Sequence, residues 1–341
     1  MSRISRRQFL AWGLPAGIGV TGVAVAATDL QGPSPASTGM IHPNPAQHVP
    51  GRPIPTERQA AGAPDPMQIL TAFDYGKVTR LPGGQVQREY TLTAFDREIQ
   101  VAKGVTFPAW TFNGAVPGPT IRCTEGDRLL IHFRNEGSMP HTVHLHGIHR
   151  SNMDGVFEIV PPGDSYDYEL VAEPFGLFLY HCHVMPLKKH IHKGLYGTFI
   201  VDPKTPRPPA KELVMVMNGF DTDLDGENEF YTVNGIANYY ADHPIPLQVG
   251  EPVRIYVVNL LEFDLINSFH LHGNVFKLYR TGTSLTSSEI TDTVMLCQGE
   301  RCILEFTYNH PGKFMFHAHQ SEFAELGWMG LFDVRAKVEQ G

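Results

Sequence analysis

The strongest constraint on how this chain folds is an internal repeat. His144-Leu145-His146-Gly147 precedes Gly176-Leu177-Phe178-Leu179-Tyr180-His181-Cys182-His183, and His270-Leu271-His272-Gly273 precedes Gly312-Lys313-Phe314-Met315-Phe316-His317-Ala318-His319. The copies stand 126 residues apart at the first motif and 136 at the second, about the size of one domain. At 341 residues the chain has room for about two domains. One structural unit is therefore used twice, with a joint near the proline-rich Pro203-Lys204-Thr205-Pro206-Arg207-Pro208-Pro209.

The unit reads as a β-sandwich. Tyr90-Thr91-Leu92-Thr93-Ala94 alternates apolar and polar, and Leu129, Ile131 and Phe133 alternate with Leu130, His132 and Arg134. Short strands are separated by turn-dense stretches such as Asn113-Gly114-Ala115-Val116-Pro117-Gly118-Pro119, and no long amphipathic helix pattern is present. Hydrophobic residues at 42% and charged residues at 18% suit ordinary cores rather than disorder.

Before the first strands come two segments of different character. Residues 1–27 read as a twin-arginine leader: Ser5-Arg6-Arg7-Gln8-Phe9-Leu10, a Gly-rich apolar run from Ala11 to Ala26, and a small-residue end at Ala24-Val25-Ala26. The run is short for a membrane span, so cleavage near Ala26 or Ala27 and a periplasmic or secreted location are expected, with no span in the mature protein. Residues 28–66, rich in Pro, Ala, Gly and Ser, read as an arm, followed by domain one over 67–203 and domain two over 204–341. Losing Arg3, Arg6 and Arg7 with the leader takes the formal charge from -8 to -11, which gives no reason to expect nucleic acid. Export permits disulfides. Cys297 and Cys302 bracket a plausible turn and could bond or stay free, and Cys123 reads as a small buried thiol.

The chemistry concentrates in His181-Cys182-His183. A thiolate flanked by imidazoles, with His190 eight residues on, is a ligand set for a soft redox metal, copper first. On a strand, His181 and His183 share one face while Cys182 points to the other, so one segment can touch two metal centres. Leu195 falls where a weak axial Met would sit. The second repeat carries Asn267, Ala318, Phe323 and Trp328 where the first has His141, Cys182, His190 and Leu195, so the thiolate site exists once per chain. Eight histidines remain as four His-x-His pairs, at 144/146, 181/183, 270/272 and 317/319. One metal ion cannot use eight imidazoles, whereas three coppers taking two, three and three nitrogens would use all of them.

With these motifs the chain resembles the two-domain, laccase-like multicopper oxidases that carry the type 1 copper in the first domain, over about residues 85–336. The resemblance implies an all-β fold of two tandem cupredoxin-like Greek-key sandwiches and four coppers per chain: one type 1, one type 2 and two type 3. It implies a type 1 copper on His141, Cys182 and His190 with Leu195 axial, and a type 2 copper on His144 and His270. One type 3 copper would take His146, His181 and His319, and the other His183, His272 and His317. It further implies oxidation of a small reductant, such as a phenol or aromatic amine, with dioxygen reduced to water. Cys182 would pass electrons on, and the chain would close into a homotrimer with clusters between copies. Asp154 and Asp292 match acids expected to deliver protons or orient ligands, and Glu322 is a third candidate. The Leu195 place, lacking a thioether, implies a raised type 1 potential. Copper nitrite reductases share the two-domain plan but use one three-histidine copper beside type 1. A non-enzymatic copper or electron-transfer protein accounts for the thiolate site alone. His192, near the type 1 ligands, reads as an ordinary half-exposed histidine.

Overall fold

The structure is a computed structural model that describes residues 64–337. The expected leader and nearly all of the arm lie outside the described residues. Two β-sandwiches follow one another, as the repeat requires, with only short helices; the longest described, Leu187–His192, has six residues. Among the described residues no helix is long and apolar enough to cross a membrane.

In the first sandwich, one sheet orders the strands Phe73–Asp74, Thr120–Thr124, Tyr196–Asp202, Gly176–His181 and His144–Leu145. The facing sheet orders Lys77–Arg80, Val86–Ala102, Arg128–Asn135 and Ser165–Val171, with Val105–Phe112 paired to Val86–Ala102. The alternation read in the sequence is the alternation of burial. Leu129, Ile131 and Phe133 are buried while Leu130 and His132 are only partly so, because successive strand side chains point to opposite faces. The second sandwich has one sheet of Phe230–Val233, Lys211–Phe220, Val253–Asn259, Arg301–Phe306, Phe276–Arg280 and Glu289–Thr291. Its other sheet orders Ile245–Gln248, Met329–Arg335, Gly312–His317, Ile266–Leu271 and Thr293–Cys297.

Gly176–His181 is buried along its whole length, which explains its unbroken apolar sequence. Phe178, Tyr180 and the following Cys182 face the first core, whereas Leu177 and Leu179 join a cluster shared with Val214, Val216 and Tyr256 of the second sandwich. Beside that cluster, the buried Arg122 is held by Asp202 on one side of the proline-rich joint (2.8 Å) and by Glu212 on the other (2.7 Å). Glu212 also meets Arg254 at 3.1 Å. Burial would raise the Glu212 carboxyl, but these cations and the Tyr256 hydroxyl hold it below the usual range.

Cys297 and Cys302 do not form a disulfide. Cys297 ends a strand of one sheet and is exposed; Cys302, across the turn, belongs to the opposite sheet and points into the second core. The turn that separates them in sequence also carries the chain from one layer to the other. Cys123 is a buried free thiol, as expected.

Candidate metal centres

The first centre is fully enclosed. His141, Cys182 and His190 are at most 1% exposed. Cys182 Sγ lies 3.2 Å from His190 Nδ1 and 3.8 Å from His141 Nδ1, and the two Nδ1 atoms are 3.3 Å apart. Ligands bound at about 2.0–2.3 Å to one ion have spacings of this order. His141 thus turns Nδ1 toward the shared centre and leaves Nε2 buried without a hydrogen-bond partner.

Three elements converge to make this triangle. His141 bridges to Val160 at the sandwich end, Cys182 follows the strand Gly176–His181, and His190 comes from the helix Leu187–His192. Leu195 closes the loop: its carbonyl accepts the Cys182 N–H at 2.9 Å, and its side chain packs in the same buried cluster as Cys182. Gly194 permits that approach, since at φ +109° a Cβ would lie 2.4 Å from Val116. The Thr142 N–H donates to Cys182 Sγ at 3.4 Å. Burial pushes the His141 pKa down to about 3, with His190 adding to the effect, and that of His190 down to about 4. The same burial raises the Cys182 thiol. Both imidazoles are thus neutral and ready to ligate, and a thiolate here needs a cation beside it.

The other eight imidazoles form two sets built alike. His144 pairs across strands with His181, and His270 with His317. Nδ1 of His144 donates to the Asp154 carbonyl (2.7 Å) and Nδ1 of His270 to the Asp292 carbonyl (3.0 Å). Nδ1 of His181 donates to the Cys182 carbonyl (2.9 Å) and Nδ1 of His317 to the Ala318 carbonyl (2.6 Å). A carbonyl can only accept, so each of these rings carries its proton on Nδ1 and turns a lone pair outward at Nε2. His146 Nε2 lies 3.3 Å from His181 Nε2, and His272 Nε2 lies 2.9 Å from His317 Nε2. Two nitrogens bound at about 2.0 Å to one tetrahedral ion stand about 3.3 Å apart, so these pairs have the spacing of co-ligands. His183 packs 5.3 Å from His144, and His319 5.2 Å from His270, ring to ring. Among the described residues, no ring contact joins one set to the other, and the one contact that leaves a set is that of His144 with His149 at 6.4 Å. The second set opens into a surface cavity of about 540 Å³ lined also by Asn274, Val275 and Asp292.

The candidate acids take different places. Asp154 Oδ1 is 3.1 Å from His144 Nδ1 and 3.6 Å from His149 Nε2. Gly155 makes this possible: at φ +71° a Cβ would lie 2.0 Å from the Val143 carbonyl oxygen. Asp292 Oδ1 accepts from Thr293 Oγ1 at 3.0 Å and is 4.0 Å from His270 Nδ1. Glu322 is exposed on the helix Ser321–Glu325. Neither aspartate was expected to hold its imidazole through the main-chain carbonyl, which it does.

Three features were not read from the sequence. The Thr142 hydroxyl accepts the His183 N–H (2.9 Å) and the Ser268 hydroxyl the His319 N–H (2.7 Å); these hydroxyls occupy equivalent repeat positions, so the repeat carried their signal. The Trp110 ring packs 4.7 Å from His190 and 5.2 Å from His141 with no signal in the motifs. His192 is not half-exposed but buried: Phe107 and Phe263 meet its ring edge-on, and its Nε2 accepts the Asp221 N–H at 3.0 Å.

Comparison with known proteins places this geometry in context. Two family models described as "Multicopper oxidase" match residues 94–206 and 206–338. A solved structure described as a multicopper oxidase is 54% identical, with a TM-score of 0.79, covering 80% of this chain and 97% of its own. A copper nitrite reductase from Nitrosomonas europaea is 27% identical with a TM-score of 0.69, covering 73% of this chain and 94% of its own. The copper-containing nitrite reductase of Neisseria gonorrhoeae is 31% identical over 66% of this chain, and the match spans 62% of that protein's length.

Proposed function

The chain belongs to the multicopper oxidases, and from that premise we propose that it is a laccase-like oxidase. It takes single electrons from a small reductant, a phenol or aromatic amine or similar, and reduces dioxygen to water. The observation that carries this reading is the pair of four-imidazole sets: eight imidazole donors exceed what one copper beside the thiolate centre can use. Four coppers per chain fit the donors: type 1 on His141, Cys182 and His190 beside the axial Leu195, type 2 on His144 and the partner's His270, and a type 3 pair. The Nε2 spacings favour His146 with His181 on one type 3 site and His272 with His317 on the other. The partner's His319 completes the first and His183 the second.

Copper at these sites supplies one-electron exchange with the donor and four-electron chemistry with dioxygen. The chain's residues do the rest. Cys182 joins the two regions covalently, since its backbone neighbours His181 and His183 belong to the eight. Its carbonyl also fixes the His181 ring. Asp154 and Asp292 are proposed to hold protons for transfer at the positions of His144 and His270. Because each set is made by one sandwich and stays apart from the other, a head-to-tail ring of three copies supplies complete clusters. Export by the twin-arginine route and a domain boundary at 203/204 are part of the same proposal.

A second reading, copper nitrite reductase, is favoured by the similarity to the Neisseria enzyme. The deciding experiment measures oxygen uptake with hydroquinone, and nitric oxide release from nitrite under anaerobic conditions. Consumption of about one dioxygen per four electrons without nitric oxide is expected; nitric oxide release without oxygen uptake would reverse the assignment.

A further inference from the structure

The helix Leu187–His192 supplies His190, and the lysines on and beside it form a feature that the reading above leaves unused. Lys188 Nζ sits 4.0 Å from the Phe263 ring centroid, Lys189 Nζ 5.4 Å from that of Trp110, and Lys193 Nζ 4.6 Å from that of Phe107. Each ammonium lies over an aromatic face. Lys193 is tied down by donation to the Pro108 carbonyl at 2.7 Å. Lys188 and Lys189 are exposed and make no ion pair among the described residues. Of the opposing acids, Glu262, felt by Lys188, is 9% exposed and held by Gln298, while the half-buried Asp96 and the exposed Glu98 act on Lys193. With Lys193 offset by Asp96 and Glu98, the exposed and unpaired Lys188 and Lys189 are a local excess of positive charge on a chain of formal charge -8, and such an excess concentrates anions.

Beneath the lip lies Trp110. The thiolate and both imidazoles are closed to solvent, whereas Trp110 touches both imidazole rings and carries Lys189 over its face. Its main chain is locked to the end of the helix, the Trp110 N–H donating to the Lys193 carbonyl at 2.8 Å. Trp110 itself is 8% exposed, and a donor held at the lip against that small exposed part is one ring contact from the thiolate centre.

We propose that Trp110, Lys188 and Lys189 form the electron-input surface of the thiolate centre, and that it selects anionic aromatic donors, phenols or hydroquinones bearing a sulfonate or carboxylate. This rests on the oxidase reading. Each donor gives one electron to the type 1 centre and its phenolic proton to water, leaving an aryloxyl radical. Four such events, with one dioxygen and four protons, yield two waters. Phe107 and Trp110 are buried beneath the ammonium groups, so charge rather than an open ring face selects among the small aromatic donors of the oxidase reading.

The test compares hydroquinone sulfonate with neutral hydroquinone on the copper-loaded full chain and its Lys188→Gln/Lys189→Gln variant. The sulfonate-to-neutral ratio of kcat/KM is expected to fall about tenfold in the variant. Raising salt should erase the same preference in the parent protein. Binding of benzenesulfonate, which is not oxidised, is measured by calorimetry and should weaken by a similar factor. Trp110→Leu should slow anaerobic bleaching of the blue colour by either donor, with Trp110→Phe restoring most of the rate. A ratio and a benzenesulfonate affinity both unmoved by the lysine changes would overturn the proposal, as would discrimination seen only with an acidic donor protein. Lysine-dependent benzenesulfonate binding without oxygen uptake would sink the oxidase reading and leave the anion site standing. Normal uptake with an unmoved ratio would do the reverse.

Discussion

The end of the first sandwich holds His141, Cys182, His190 and Leu195, and the same corner of the second holds Asn267, Ala318, Phe323 and Trp328. The backbone is shared. Cys182 N–H donates to the Leu195 carbonyl at 2.9 Å and Ala318 N–H to the Trp328 carbonyl at 3.2 Å, while His190 and Phe323 both project from short helices. The contents differ. Trp328, 0% exposed, packs against Phe269 and Phe316; Phe323 stacks on Tyr231 at 4.0 Å; Asn267 spends its amide on Ser268 and Asn259. One corner is a ligand triangle and the other is solid core, yet the imidazole sets next to them share their main-chain hydrogen bonds, from His144 and His270 to the aspartate carbonyls and from His181 and His317 to the next carbonyl. The sandwich thus keeps its His-x-His frame independently of what fills the corner, and the proposed redox link rests on the side chain of Cys182.

Making the first corner resemble the second is the severest test. Cys182→Ala should abolish the blue colour and lower oxidase turnover about a thousandfold or more, roughly 4 kcal/mol of barrier, while circular dichroism stays native, as Ala318 already shows the backbone accepts. The converse probe empties the second corner. Trp328→Ala should cost about 3–5 kcal/mol of stability in denaturant titration with the blue spectrum kept, because it leaves a cavity in the second core and touches no ligand.

Acidity should separate the corners more gently. His141 and His190 have ordinary values of 6.5 that burial lowers to about 3 and about 4 in the fold. The unfolded chain therefore binds protons first as pH falls, so their contribution is full above about pH 6.5 and drains away as pH falls through about 4 for His190 and about 3 for His141. Copper-free protein should lose a few kcal/mol over that window, read by urea midpoints, and His141→Asn/His190→Phe, the residues of the second corner, should flatten the slope. The smallest effect is at the axial place: Leu195→Met should keep the colour and lower the type 1 potential by about 60 mV, a tenfold shift for one electron. An unchanged or raised potential in a redox titration counts against the axial assignment.

Much of this was legible because repetition exposes function. The alternation of Leu129, Ile131 and Phe133 marks a half-buried strand, and the replacement of Cys182 by Ala318 separates two kinds of centre in the sequence itself. What escaped was contact made by tertiary packing. Trp110 lies 31 and 80 residues before His141 and His190, the ligands it covers, and no spacing rule joins them. His192 turned inward because Phe263, from the other sandwich, leans onto its ring. Cys297 and Cys302 suggested a bond because sequence distance does not reveal that a turn changes sheets.

The central claim is that two separate four-imidazole sets combine into a cluster between copies, served by one thiolate centre. Copper content per chain, measured on purified protein whose mass in solution is fixed by light scattering, tests it most directly. The account predicts about four coppers per chain in a trimer; two per chain, or four in a monomer that reduces dioxygen fully, would contradict it.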